Sequence, residues 1–309
     1  MYVSPSNSHD DPVPRRSMMI PPRFDYHAPK GVKDAVALLK EHGSDAKILS
    51  GGMSLVPLMK LRLAGPTHLI DINGIPGLDY VKEAGGFLRI GALAREADLE
   101  KSELVRAKFP ILVDTAVFVG DPLVRNRATV AGNLAHADPA NDHPATMLVL
   151  GAEIAAVGPD GERAIGIEDF FTGLFATALN PDEIVTEVRI PIPPPQSGGA
   201  YLKVERKVGD FATAAVAVQL SLGKDDVVEK IGIGLTNVGP MAIRASKAEA
   251  ALRGMKIDAD TLGRAAQSAS EGCEPRTDAR GSEAYKRDLV RVLTVRAVNR
   301  ALERARGGK

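Results

Sequence analysis

A run of prolines constrains this chain more than any other feature. Pro191, Pro193, Pro194 and Pro195 are followed by Ser197-Gly198-Gly199. So many fixed φ angles and missing N–H donors cannot continue a helix or a central strand. The segment therefore reads as a linker near residue 195 that joins two unlike regions. Beyond it, residues 201–207, 214–222 and 227–235 read as three strands at hairpin spacing, hence an antiparallel sheet. Helices are expected over 243–252, 259–269 and 282–304. The last has Tyr285, Leu289, Leu293 and Leu302 near one face, as in an amphipathic helix docked on the sheet.

The region before the linker has a mixed texture. Residues 34–43 (DAVALLKEHG) have an acidic start, an apolar face and a closing glycine, which predicts a short helix. Residues 46–49 read as a buried strand stopped by Gly51-Gly52, and 68–72 and 87–91 as further strands. Pro57 restricts 54–63 to a first helical turn or a loop. From 78 to 190 short strands are expected to alternate with helices near 109–119 and 143–150. This is an α+β pattern. A chain of 309 residues suggests two or three packed domains. The expected division is a disordered leader over 1–20, units over 21–75 and 76–192, and a sheet domain over 193–309. Arg15-Arg16 lacks the apolar segment of an export signal, because Pro21 and Pro22 interrupt it. The chain is thus expected to be cytoplasmic, with peripheral contact to the inner membrane face left open.

Several function classes are excluded early. With 39 basic and 39 acidic side chains the formal charge is zero, and a phosphate-tracking nucleic-acid binder would carry a basic surplus. No apolar run approaches the roughly 20 residues of a membrane helix. One cysteine, Cys273, permits neither an internal disulfide nor a four-cysteine zinc or iron–sulfur site.

Two segments could carry a ligand. Ser50-Gly51-Gly52-Met53-Ser54 follows a predicted strand, and adjacent glycines let several N–H groups converge, as anion-binding concavities require. The alternative is a tight turn with packed glycines. It is neither a Walker loop nor a Rossmann fingerprint. Thr129-Val130-Ala131-Gly132-Asn133 leads into Asp138-Pro139-Ala140-Asn141-Asp142-His143, small and polar where a core would be apolar. That composition suits a polyhydroxyl or diphosphate ligand, or else an Asx-rich cap for the helix near His143. His136, Asp138, Asp142 and His143 do not have the spacing of a zinc motif, so no metal ligands are assigned. Gly232-Ile233-Gly234 lies inside a predicted strand and reads as sheet packing. There is no G-x-S-x-G, and no catalytic residue is assigned.

Read together, the two glycine motifs resemble those of the FAD-binding medium subunits of the molybdenum hydroxylase (xanthine dehydrogenase) family. Within it the chain is most similar to the medium chains of aerobic carbon monoxide dehydrogenases. The likeness runs from Ile20-Pro21-Pro22-Arg23-Phe24-Asp25-Tyr26 to the last helix. It includes Leu58-Met59-Lys60-Leu61-Arg62 and Lys207-Val208-Gly209-Asp210-Phe211-Ala212-Thr213-Ala214. It implies two α/β FAD-binding subdomains of the PCMH type, FAD in the cleft between them, and a C-terminal antiparallel sheet with helices. By the same resemblance Ser50, Gly51, Gly52, Met53 and Ser54 would wrap the pyrophosphate, with Leu55 close by. Thr129, Val130, Ala131, Gly132 and Asn133 would form the second loop, Asp142 would contact the flavin's polar chain, and Lys203 and Val185 would lie near the cofactor. Ser50, Met53, Ala131 and Phe211 depart from the family pattern, and an alanine at 131 requires a negative φ.

The resemblance implies an electron-transfer flavoprotein subunit. A large partner subunit would hold the molybdenum cofactor and a small one two [2Fe–2S] clusters, in a dimer of heterotrimers. FAD here would pass electrons to a quinone, O₂ or NAD⁺. A free-standing FAD-dependent oxidoreductase and a non-enzymatic assembly subunit that has lost FAD remain as alternatives.

Overall fold

The computed structural model describes residues 20–308, so the expected leader lies outside the described residues except for Ile20. The chain is an α+β protein, with four sheets among the described residues. The first unit comprises β1 (Asp25–His27), α1 (Val32–His42), β2 (Ala46–Leu49), α2 (Leu55–Lys60) and β3 (His68–Asp71). Its strands run parallel in the order β1-β3-β2. In α1, Asp34 lies in the first turn and Lys40 and His42 in the last, matching the helix dipole. Gly43 at φ 54° closes it. Its Ala35, Val36 and Leu39 pack with Ile70 and Ile72 of the sheet side. Pro57 stands in the first turn of α2, where a missing N–H leaves no bond unmade.

The second unit begins with β4 (Val81–Ala84) and β5 (Phe87–Gly91). A block of helices follows: α3 (Glu96–Lys101), α4 (Glu103–Lys108), α5 (Pro110–Ala116), α6 (Pro122–Arg125), α7 (Val130–His136) and α8 (His143–Leu150). Then come β6 (Glu153–Gly158), β7 (Gly161–Gly166), α9 (Ile167–Phe170), a small ribbon of β8 (Phe171–Gly173) and β9 (Ala176–Thr177), and β10 (Ile184–Pro191). The main sheet has the order β4-β5-β10-β6-β7 and is antiparallel at every pairing. The helices are thus grouped mostly between two hairpins, and the expected alternation of strand and helix does not hold.

The third unit consists of β11 (Ser197–Val204), β12 (Ala214–Leu222), β13 (Val228–Thr236), β14 (Ile243–Arg244), α10 (Ser246–Leu252), α11 (Ala259–Glu271) and α12 (Glu283–Ala305). Its sheet is antiparallel in the order β11-β12-β13-β14. The linker is shorter than the sequence suggests. Pro191 still pairs with Phe87 at the end of β10, and β11 already starts at Ser197. Gly198 is there for packing and not for flexibility: a Cβ on it would lie 2.0 Å from the Ala301 carbonyl oxygen of α12. The helix crosses directly over the strand at that point.

β12 is buried on both faces. Ala215 and Ala217 join the core of the second unit, while Ala214, Val216, Val218 and Leu220 join the C-terminal helices. Two-sided burial explains its near-continuous apolar run. On β13, Cβ atoms at Gly232 and Gly234 would lie 3.1 Å from Val149 Cα and 2.6 Å from the Ala145 oxygen. These glycines let α8, buried along its whole length, lie on the sheet. In α12 the buried face is Val290, Leu293, Ala297, Val298, Ala301 and Leu302, whereas Tyr285, expected there, is exposed. Each fully buried valine or leucine contributes about 1.5–3 kcal/mol. Among the described residues no helix is long and apolar enough to cross a membrane.

Candidate functional site

β2 delivers Ser50 to its C-terminal end, and Gly52 turns the chain with φ 74°, a conformation glycine adopts without steric cost. The second motif is helical where a loop was expected: Thr129 is the N-cap of α7, its hydroxyl accepting from the Gly132 N–H at 3.1 Å. Ala131 is buried in the first turn of that helix and is absent from the positive-φ positions, so alanine is accommodated without strain.

The two motifs meet. Ser50 Oγ and Thr129 Oγ1 are 3.2 Å apart across 79 residues of sequence. Gly51 packs against the backbone just before α7, where a Cβ would come within 2.4 Å of the Arg127 oxygen and 2.9 Å of Ala128 Cα. A Cβ on Gly132 would be 3.1 Å from Ser50 Oγ. Gly51 is therefore required by the contact between segments, while a Cβ on Gly132 would come closest to the Thr129 cap of its own helix, at 2.7 Å. Met53 is exposed, and Leu55 opens α2 half-buried.

A second group lies where α7 leads into α8. Asn141 Nδ2 donates to the Asn133 carbonyl at 2.9 Å, tying α7 to the residue before Asp142. Asp142 occupies the N-cap position of α8 without capping it. Its carboxylate instead accepts from Tyr201 Oη at 2.6 Å and from Lys203 Nζ at 3.0 Å. Lys203 also donates to the Phe118 carbonyl at 3.1 Å and lies 3.3 Å from Glu205. Burial pushes the Asp142 carboxyl up, while the Lys203 ammonium and the Tyr201 hydroxyl pull against it. Burial and the facing Asp142 push the Tyr201 phenol well above its ordinary value. Next door, burial lowers the His143 imidazole, but the charge and hydrogen bond of Glu96, at 2.7 Å, outweigh it and raise the pKa. Val185 is a buried residue of β10, sharing a core with Val130 and Ala131 beneath α7.

Sequence reasoning missed the residues that clamp the two motifs. Asn73 Nδ2 donates to the Ser50 carbonyl at 2.8 Å. Arg95 donates to Asn73 Oδ1 at 2.6 Å and to the Arg127 carbonyl at 2.7 Å. Burial and the nearby Arg127 lower the Arg95 pKa. Asn73, Asp79, Arg95 and Asp98 help line a cleft of about 440 Å³. An asparagine in a turn and an arginine after a strand carry no motif, so only the folded chain shows them.

The histidines and aspartates around residue 140 do not converge on one point among the described residues. Asp138 accepts from the Ala140 N–H, His136 packs beside Phe175, and Asp142 and His143 have the partners given above. Cys273 is buried, with its thiol directed at the Ser270 carbonyl and its pKa raised by burial.

A second-motif amide oxygen tests the site against a flavin nucleotide. Asn133 Oδ1 is buried without a hydrogen-bond partner, which a hydroxyl-bearing ligand chain would supply. The family profiles agree with that chemistry. The FAD binding domain in molybdopterin dehydrogenase matches residues 22–193, and the CO dehydrogenase flavoprotein C-terminal domain matches 199–301. The chain belongs to the family of FAD-binding medium subunits of molybdopterin dehydrogenases and is an oxidoreductase subunit. In particular it is similar to the carbon monoxide dehydrogenase medium chain of Hydrogenophaga pseudoflava, with 45% identity over 286 residues, 93% of this chain and 99% of that one. A solved carbon monoxide dehydrogenase from that organism, lacking the Mo-pyranopterin moiety of its molybdenum cofactor, superposes with a TM-score of 0.90 at 47% identity, covering 93% and 99% of the two chains. Quinoline 2-oxidoreductase from Pseudomonas putida 86 superposes at 0.87 with 32% identity, covering 93% and 99%.

Proposed function

We propose that this chain is the FAD-carrying electron-transfer subunit of a molybdenum-containing, carbon monoxide dehydrogenase-like complex. Its partners are a large molybdenum-cofactor subunit and a small subunit with two [2Fe–2S] clusters, assembled as a dimer of heterotrimers. The observation that carries this reading is the contact of the Ser50 and Thr129 segments, held by Asn73 and Arg95. It brings glycine backbone and hydroxyls of two distant segments together, as a long polar ligand requires.

Ser50, Gly51, Gly52, Met53 and Ser54, with Leu55, would cradle the pyrophosphate. Thr129 to Asn133 would line the second side, and Asn133 Oδ1 would accept from the ribityl or ribose hydroxyls. Asp142 is held by Tyr201 and Lys203 and so is oriented before any ligand arrives; Val185 supplies apolar backing. When bound, FAD would supply the redox centre that takes electrons from the partner's clusters and gives them to a quinone, O₂ or NAD⁺. The units over 21–75 and 76–192 would form the two walls of the cleft, with 193–309 as the sheet domain behind them.

Docking to partners has support on the surface. Val208, on the loop after β11, is 92% exposed and Leu123, in α6, is 77% exposed, near where Gly209 meets the Gly120 carbonyl. Relatives are named for carbon monoxide at 45% identity and quinoline at 32%, so substrate choice is assigned to the large subunit. The test is activity of the chain alone against the co-expressed complex. The molybdenum-free chain should not oxidise carbon monoxide, aldehydes or purines, and the complex should oxidise its substrate. Turnover by the chain alone at ordinary enzyme rates, of order 1–10³ s⁻¹, would overturn the electron-relay reading in favour of a free-standing flavoenzyme.

A further inference from the structure

Three of the chain's six histidines meet at a place that the flavin reading does not use. His27 ends β1, His42 ends α1, and His68 begins β3, and one ring nitrogen from each lies within 4.8 Å of the others. All three rings are half-buried. His27 Nε2 and His68 Nδ1 are 3.1 Å apart, and the His42 and His68 rings stack at 3.7 Å between centroids. We propose that His27, His42 and His68 form a three-imidazole site for a divalent transition-metal ion, Zn²⁺ by its chemistry.

Bond lengths of about 2.0–2.1 Å to nitrogen in a tetrahedral zinc site place two ligand nitrogens about 3.3 Å apart. The His27–His68 separation is close to that edge, so this pair needs only a slight opening. The third ring, His42, now stacked face to face on His68, must turn out of that stack and close by up to about 1.5 Å, which a side-chain rotation supplies. At present the facing pair shares a proton as a hydrogen bond, so one of the two nitrogens already aims a lone pair inward. His42 is the last residue of α1, an eleven-residue helix whose C-terminal dipole favours a cation at this end. Asp25 Oδ2 lies 4.0 Å from His68 Nδ1, the nitrogen assigned to the ion, and can take the fourth position, which otherwise falls to water. Imidazole ligands suit zinc, nickel and copper and reject calcium and magnesium. The ion would tie β1, α1 and β3 together, and β3 pairs directly with β2, which carries Ser50.

The test uses the full-length chain without a histidine tag, since a tag would bind the same ions. Co²⁺ added to wild type should give intense tetrahedral visible absorption at one equivalent per chain, displaced by Zn²⁺. Zn²⁺ should also raise the melting temperature. His42→Ala and, separately, His27→Gln should each weaken Zn²⁺ binding at least tenfold and abolish the cobalt bands, with FAD binding unchanged. His136→Ala, outside the cluster, should behave as wild type. A cobalt spectrum identical to that of the free aqueous ion, or unchanged Zn²⁺ affinity in both cluster variants, would overturn the site. Neither result bears on the flavin, which is read separately by its own absorption.

Discussion

Gly51→Ala tests the junction of the two motifs with a single methyl group. The added Cβ would lie 2.4 Å from the Arg127 oxygen and 2.9 Å from Ala128 Cα, both backbone atoms that cannot rotate away. Ordinary contact begins at 3.4 Å, so one segment must withdraw by about 1 Å. Overpacking of this kind costs about 1–3 kcal/mol. The Ser50–Thr129 hydrogen bond, now 3.2 Å, would stretch beyond bonding distance, at a further cost of about 0.5–1.5 kcal/mol. The sum is about 1.5–4.5 kcal/mol, against about 1.4 kcal/mol for a tenfold change in affinity. FAD titration of the flavin-free protein, followed by quenching of flavin fluorescence, should show a Kd raised at least tenfold. Urea unfolding should show a lowered midpoint with unchanged slope. Ser50→Ala removes only the hydrogen bond and should do less. Gly52→Ala is a weaker test of the junction, since its strain comes from φ 74° and its nearest neighbour, Leu49 Cδ1, is a movable side-chain atom. Unchanged FAD affinity and unchanged midpoint in Gly51→Ala would refute the claim that close approach of the two segments forms the site.

Gly198→Ala should destabilise the fold by about 1–3 kcal/mol, because α12 lies directly on that strand, yet leave the FAD Kd of the folded protein unchanged; urea melts and flavin titration check both. Asp210 is held down to about 2 by its hydrogen bond from Arg280, with further help from Arg206. A depressed carboxyl contributes stability that is present above its unfolded value of 3.8 and lost as the pH falls toward about 2. Asp210→Asn should therefore flatten the acid limb of a stability–pH curve between those values, while a limb identical to wild type would remove Asp210 from the account.

Much of the fold was legible because local signals agreed with tertiary demands. The strand at Ala46–Leu49 and the helix at His143–Leu150 have the bounds their apolar patterns give. Gly232 and Gly234 were read as sheet packing, and α8 is what packs there. Ser197-Gly198-Gly199 misled for the same reason: a glycine gives one signal for flexibility and for close approach, and only the position of α12 separates them. Thr129 misled differently, since small polar residues favour both loops and helix N-termini. At the site, the motif residues were legible and their clamps were not. Asn73 and Arg95 act through backbone oxygens of distant segments, and backbone acceptors leave no trace in sequence. His27, His42 and His68 sit on three separate elements, so their convergence depends on the β1-β3 pairing and on where α1 ends.

The flavin content of the purified chain bears most directly on the account. Reconstitution with FAD followed by acid precipitation should give one FAD per chain, all of it in the supernatant, since the family resemblance assigns no histidine or cysteine to a flavin bond. A chain that stays colourless after FAD addition would contradict the flavin site, and flavin retained on the precipitate would contradict non-covalent binding.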